Sequence, residues 1–286
     1  MLAVVGTIPD LDFPVVAGEV TLREGLIWVE GRSAPVNRGT PALIAATIKC
    51  LEVLGLPMPY GYLAGDIGLG DGSRRVYDRL VKHLPQSEFS TLAFHYLQPD
   101  VDWHNKVLFA IGQMRRRPIL IADAGFMYAA KMSGSAADYD LFTPDAGELA
   151  FLADDQAPHP FYTRGFILHE DQKVPDLITR AYRHRNAARH LLVKGRIDYV
   201  ANRQGVIATI DSPVEEALEP IGGTGDTLTG LVSAFIYGGF DVDHAAVLAA
   251  RANRLAGRLA SPTPMTQVKE IIAQIPQAVE QVLETR

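Results

Sequence analysis

Two rhythms of apolar residues alternate along this chain. Short apolar runs at 2–5, 61–65, 91–94, 118–122, 140–143 and 190–193 have the length and glycine punctuation of buried strands. Between them lie longer segments with one apolar face, at 42–54, 73–83, 103–114, 147–152, 175–186, 228–236 and 242–259. Pro41 opens the first of these and Gly55 closes it, the usual order of helix punctuation. A last helical segment, 265–283, is interrupted by Pro276. Two further short strands, 199–201 and 206–210, precede a glycine-rich loop, and 15–20 with 26–30 form a two-stranded excursion near the N-terminus. Strands alternating with helices predict an α/β fold, a mainly parallel sheet covered by helices on both faces in three layers. With no linker, repeat or low-complexity tract, residues 1–286 are expected to form one domain.

Composition narrows the function classes. Hydrophobic residues make up 48% of the 286 positions, enough for a sizeable core. A formal net charge of −6 argues against a nucleic-acid binder that works by neutralising phosphates. The basic clusters at Arg115–Arg117 and around Arg183–His190 fall near predicted helix ends and are expected to be solvated. One cysteine, Cys50, excludes an internal disulfide, and its apolar surroundings predict a core position. No basic-then-apolar leader opens the chain and no apolar run has the length of a membrane span, so a cytoplasmic protein is expected.

The densest chemistry is the stretch Gly222-Gly223-Thr224-Gly225-Asp226, set immediately before the apolar face of Leu228, Leu231, Val232, Phe235 and Ile236. Such a loop offers unpaired backbone N–H groups and the positive end of a helix dipole to an anion. A carboxylate beside a phosphate cradle repels it. Asp226 makes chemical sense there as the acceptor of a proton from a hydroxyl that attacks the phosphorus. The alternative is ordinary helix capping. Three more polar loops follow strand ends, where ligands bind to sheets of this kind. They are Asp123, the segment Thr143-Pro144-Asp145-Ala146-Gly147-Glu148, and Lys194-Gly195. Asp145 and Glu148 also have the spacing of a capping box.

These residues carry a resemblance. Thr143–Leu149, Gly222–Asp226, Val193-Lys194-Gly195 and the glycine-opened helix from Asn37-Arg38-Gly39-Thr40 resemble the ribokinase-like superfamily. Within it, Gly222–Gly230, Thr143–Glu148, Ala122-Asp123-Ala124 and Leu192–Gly195 are most similar to the nucleotide-dependent NAD(P)H-hydrate dehydratases. The excursion at 15–30 is similar in place to the lid of the sugar kinases. The resemblance implies ADP or ATP as cofactor with Mg²⁺ held by Asp145 and Glu148, and a base at Asp226 beside the amides of Gly223, Thr224 and Gly225. It also implies nucleotide contacts at Lys194, Gly195, Gly222 and Asn253, and substrate contacts at Asn37, Gly39, Thr40 and Asp123. The implied substrate is a small molecule, a hydrated nicotinamide nucleotide or the alcohol of a sugar or vitamin, and homo-oligomers are common among such enzymes. A catalytically silent nucleotide binder is the remaining alternative. The glycines of Gly68-Leu69-Gly70-Asp71-Gly72 lack the spacing of a dinucleotide fingerprint, no Walker sequence is present, and the eight histidines show no metal-ligand spacing.

Overall fold

The computed structural model describes residues 1–160 and 174–284. Its centre is a nine-stranded sheet whose six middle strands run parallel. In spatial order these are β10 (His190–Val193), β9 (Leu141–Phe142), β8 (Ile119–Ala122), β7 (Thr91–Phe94), β1 (Leu2–Ile8) and β6 (Tyr60–Gly65). Antiparallel strands finish both edges. β11 (Asp198–Asn202) and β12 (Gly205–Ile210) lie beyond β10, and β2 (Val16–Glu19) lies beyond β6. The parallel strands are apolar without alternation because both faces are covered: all seven residues of β1 are buried.

One face carries α1 (Thr40–Leu54), α7 (Thr224–Tyr237), α8 (Val242–Leu259), α9 (Val268–Ile272) and α10 (Ile275–Glu284). The other carries α2 (Asp71–His83), α3 (Val101–Gly112), α4 (Ala124–Met132), α5 (Ala146–Ala153) and α6 (Val174–Arg183). Each face has its own apolar core, so the architecture is the three-layer one expected. Helices α1 and α7 touch through backbone. A Cβ on Gly230 would stand 2.3 Å from the Leu43 carbonyl oxygen, and the Thr47 hydroxyl donates to both the Leu43 and Gly230 carbonyls. Cys50 is fully buried in α1, and burial pushes its thiol pKa far up, so it is an inert core residue.

The structure departs from the sequence pattern at four places. The N-terminal excursion is not a hairpin of 15–20 with 26–30. The first run joins the large sheet as β2, because Val16, Ala17 and Val20 are buried against it. The small sheet is three-stranded, β3 (Thr21–Arg23), β4 (Leu26–Val29) and β5 (Arg32–Pro35). Helix α4 carries no clear signal in the apolar pattern, since its opening Ala124-Gly125 combines a poor helix former with a residue at φ 48°. The C-terminal helix breaks at Ala273–Gln274 rather than at Pro276, which falls in the first turn of α10 where a missing N–H costs nothing. Among the basic clusters, Arg117 and Arg189 are not merely solvated: both pair with Asp140, at 2.9 and 3.1 Å. No helix among the described residues is long and apolar enough to cross a membrane.

Candidate active site

Parallel strands deliver their C-terminal loops to one edge of the sheet, and four of them meet there around the start of α7. β7 is followed directly by His95, β8 by Asp123, β9 by Thr143 and β10 by Lys194. Asp226, in the first turn of α7, is buried, with 11% of its side chain exposed. Its Oδ2 accepts the Gly39 N–H at 2.5 Å and its Oδ1 lies 3.0 Å from His95 Nε2. Gly39 has φ 68°, a left-handed conformation that suits glycine and turns its N–H toward the carboxylate. Burial alone would raise the Asp226 pKa. The His95 hydrogen bond, the Lys194 ammonium and the Gly39 amide outweigh it and hold the acid below the ordinary carboxylate range. Each carboxylate oxygen therefore takes one donor and retains one lone-pair direction.

Asp123 is 1% exposed and takes Lys194 Nζ on both oxygens, at 2.9 and 2.8 Å. Its Oδ2 also accepts the Thr229 hydroxyl at 2.7 Å, and its Oδ1 accepts the Ala124 N–H. Thr143 completes the chain by meeting Thr229, hydroxyl to hydroxyl, at 3.0 Å. Burial works to lower the Lys194 pKa, but Asp123, Glu148 and Asp226 together raise it, so the ammonium is permanently charged. Lys194 also runs along the glycine loop: a Cβ on Gly225 would lie 3.8 Å from its Nζ.

Asp145 and Glu148 form the capping box of α5. Asp145 accepts the Glu148 N–H at 2.7 Å and Glu148 Oε2 accepts the Asp145 N–H at 2.9 Å. Glu148 Oε1 also accepts the Tyr128 hydroxyl at 3.0 Å. Desolvation first, and then the charges of Asp123 and Asp145, push the Glu148 pKa up to about 8 despite Lys194. The folded protein thus binds this proton more tightly than the unfolded chain, and stability falls as pH rises from about 4.5 through about 8. Glu148→Gln keeps the capping box. The protein without nucleotide or Mg²⁺ should therefore gain several degrees in Tm at pH 8.5 and little at pH 5, a difference thermal melting at the two pH values reads directly. Among the described residues, no three His, Cys, Asp or Glu side chains are grouped to hold a metal ion by themselves.

At the start of α7, Gly223 takes φ 103°, and a Cβ there would meet Val268 and the Arg38 backbone. Among the described residues, the N–H groups of Gly223, Thr224 and Gly225 donate to no acceptor, and no side chain caps the helix. That leaves an open, positively polarised end. Asn253 props this turn from α8: it donates to the Thr224 carbonyl at 3.1 Å and accepts from the Thr227 hydroxyl at 2.7 Å. Gly222 is exposed and lies against the Arg38 side chain. The Gly195 N–H is taken by Asp198, which Arg254 pairs at 2.7 Å while donating to the Gly195 carbonyl. Asn37 is exposed at the entrance to α1, whereas Thr40 is buried with its hydroxyl 3.1 Å from His95 Nδ1.

The sequence profile of the NAD(P)H-hydrate dehydratases matches residues 99–277, more than half of the chain. The chain belongs to the NAD(P)H-hydrate dehydratase family. An uncharacterized protein of Methanocaldococcus jannaschii is 40% identical over 242 residues, which is 84% of this chain and all of that protein. The bifunctional NAD(P)H-hydrate repair enzyme Nnr of Pyrobaculum aerophilum is 32% identical over 117 residues, 41% of this chain and 20% of that enzyme. Among solved structures, a ribokinase-like superfamily protein from Enterococcus faecalis aligns with a TM-score of 0.60 at 14% identity, covering 98% of this chain and 87% of that one. The ADP/ATP-dependent NAD(P)H-hydrate dehydratase from Bacillus subtilis, crystallised with ATP and Mg²⁺, aligns at 0.57 and 14%, covering 98% and 89%. At such identities the two structures establish the ribokinase-like fold.

The family segment contains Asp123, Asp145, Glu148, Lys194, the glycine loop and Asn253, and it begins four residues after His95. His95 and its neighbour Tyr96 are side chains of the site that the sequence does not single out. A lone histidine after a short apolar strand carries no spacing signal. Tyr96 sits at φ 44°, a conformation that costs a bulky residue on the order of 1–3 kcal/mol, with its carbonyl pinned by the Thr7 hydroxyl and its ring edge-on to His95. Thr229, Tyr128 and Arg254 are equally unsigned, being polar positions on otherwise helical faces. The glycine loop after β6 is no ligand cradle, because Asp66 fills it: its Oδ1 takes the N–H groups of Gly68, Leu69 and Gly70, and its Oδ2 takes Ser73.

Proposed function

We propose that this protein is an ADP- or ATP-dependent NAD(P)H-hydrate dehydratase that activates a substrate hydroxyl by phosphoryl transfer. The observation that carries the reading is the ionised Asp226 carboxylate in the first turn of a helix whose N-terminus is open, with the Lys194 ammonium alongside. The terminal phosphoryl group of the nucleotide sits against the N–H groups of Gly223, Thr224 and Gly225, which meet the charge growing on its oxygens. The substrate hydroxyl oxygen bonds to phosphorus, the bond from phosphorus to the leaving nucleotide breaks, and the hydroxyl proton passes to Asp226. In a hydrated nicotinamide the carbon–oxygen bond then breaks with help from the ring nitrogen's lone pair. Phosphate departs, and loss of a proton from the adjoining ring carbon restores the dihydronicotinamide.

Lys194 adds positive charge at the transferring group, and Asp123 holds it there. Gly222 and Gly195 shape the two loops that flank the nucleotide, Asn253 keeps the amide-lined turn in place, and Asn37 faces the acceptor. Asp145 and Glu148 would fit a magnesium ion brought by the nucleotide: both offer hard oxygens, and the Asp123 carboxylate adds negative charge beside Glu148, second to burial in raising its pKa. Two carboxylates do not make a complete cage, so phosphate oxygens and water would have to complete the coordination, as is ordinary for Mg²⁺. When bound, the ion neutralises charge on the phosphates.

The test is incubation with hydrated NADPH plus ADP or ATP, following the return of dihydronicotinamide absorbance. Recovery supports the reading. No recovery, with phosphorylation of a sugar or vitamin alcohol instead, replaces it with a kinase. Nucleotide binding with no turnover of any hydroxyl leaves the silent binder.

A further inference from the structure

His95 is fully buried, belongs to no helix and lies outside the family-matched segment, yet it touches the centre of the site. Its Nε2 is 3.0 Å from Asp226 Oδ1 and 3.8 Å from Asp123 Oδ2, and its Nδ1 is 3.1 Å from the Thr40 hydroxyl. An ionised carboxylate has only lone pairs to offer, so Nε2 must carry the hydrogen. In the neutral ring Nδ1 is then an acceptor, and the Thr40 hydroxyl must donate to it. The result is a directed chain, Thr40 to His95 to Asp226, whose far oxygen is closed by the Gly39 N–H. Gly39 and Thr40 open α1, which packs on α7, so one helix start fixes both ends of this chain.

We propose that His95 is a positioning residue for the base of the reaction proposed above, fixing the orientation of the Asp226 carboxylate and keeping it ionised through a donor whose tautomer Thr40 sets. The proposal rests on that functional reading, because it assigns His95 a role only through Asp226. The other groups facing Asp226 are the Lys194 ammonium from the end of β10, the Asp123 carboxylate from the end of β8, the Tyr96 phenol beside His95, and the Gly39 amide. Of these, only Lys194 and Gly39 share the task of holding it ionised. Lys194 is already claimed by Asp123. His95 is therefore the group whose removal exposes Asp226 to its burial.

The experiment measures kcat and KM against pH for His95→Leu, His95→Gln and Thr40→Val, with Asp226→Asn as reference and thermal melting as the folding control. His95→Leu should lower kcat about 10–100-fold, the range for a lost hydrogen bond to a charged group, with nucleotide KM little changed. Its acid limb should move up by roughly one pH unit, because an acid that loses a donor to its charged form is protonated more easily. His95→Gln, whose amide nitrogen reaches the Nε2 position, should recover most of the rate. Thr40→Val should move the acid limb in the same direction by less, since the ring is then free to take the other tautomer. If His95→Leu does not fold, the Gln and Val variants still decide. An acid limb that stays put in Thr40→Val and in every folded His95 variant overturns the proposal, as does a Gln variant no better than Leu. Full turnover by Asp226→Asn would instead sink the functional reading. Loss of turnover there with normal His95 variants would sink the positioning role alone.

Discussion

Asp226→Asn is expected to cut turnover at least ~100-fold, the low end of what a general base contributes, while nucleotide affinity stays near normal. The two effects separate because different groups carry them. In the proposed reaction nucleotide binding rests on backbone amides and Lys194, which the substitution leaves in place, whereas proton removal rests on the carboxylate. The variant should also fold. The amide oxygen can still accept the Gly39 N–H, and the amide nitrogen can donate to His95 once the ring moves its hydrogen to Nδ1 and the Thr40 hydroxyl becomes the acceptor. Steady-state kinetics beside nucleotide titration, with and without Mg²⁺, reads both halves. A variant within a few-fold of the parent rate would remove Asp226 from the chemistry.

Lys194→Met is expected to have the largest effect on stability. It strips the counter-ion from Asp123, a carboxylate 1% exposed that receives two hydrogen bonds from that one ammonium. Breaking a buried pair from one side typically costs about 3–5 kcal/mol, because the remaining charge is left unmatched in a poorly polar interior. For a chain of this size that corresponds to a fall in Tm of roughly 10 °C. Adding Asp123→Asn should recover much of the loss, since the Ala124 N–H can donate to the amide oxygen while the Thr229 hydroxyl turns to accept from the amide nitrogen. Denaturant unfolding of the single and double variants gives the coupling directly. A loss below about 1 kcal/mol for Lys194→Met would show the pair to be hydrated, as surface pairs are.

Both predictions concern residues whose type and place are legible in the sequence. Strand runs such as 118–122 and 190–193 end at Asp123 and Lys194, and that position alone marks the binding edge of a parallel sheet. Their partners are not legible. Nothing local says that Lys194 turns to Asp123, 71 residues away, or that Asp226 meets the Gly39 amide across 187 residues. Several residues that the resemblance implies as direct ligand contacts, among them Asp123, Thr40 and Asn253, spend their polar atoms on other protein groups. The excursion at 15–30 divides differently from its sequence pattern for a related reason. Its first run has a strand pattern in either setting, and pairing with Tyr60–Gly65, far along the chain, chose the setting.

What the order of residues determined by itself was everything that depends on near neighbours: the strand and helix periods, the left-handed glycine before α7, and the capping box of Asp145 and Glu148. From these the layered sheet and its binding edge follow, because each period leaves an apolar face that must be covered. Tertiary structure alone decided the electrostatics. It set His95 between two carboxylates, held Asp226 ionised and raised the Glu148 pKa. A charge's state depends on burial and on groups within a few ångströms, and in this protein those groups come from β7, β8, β10, α1 and α7 at once.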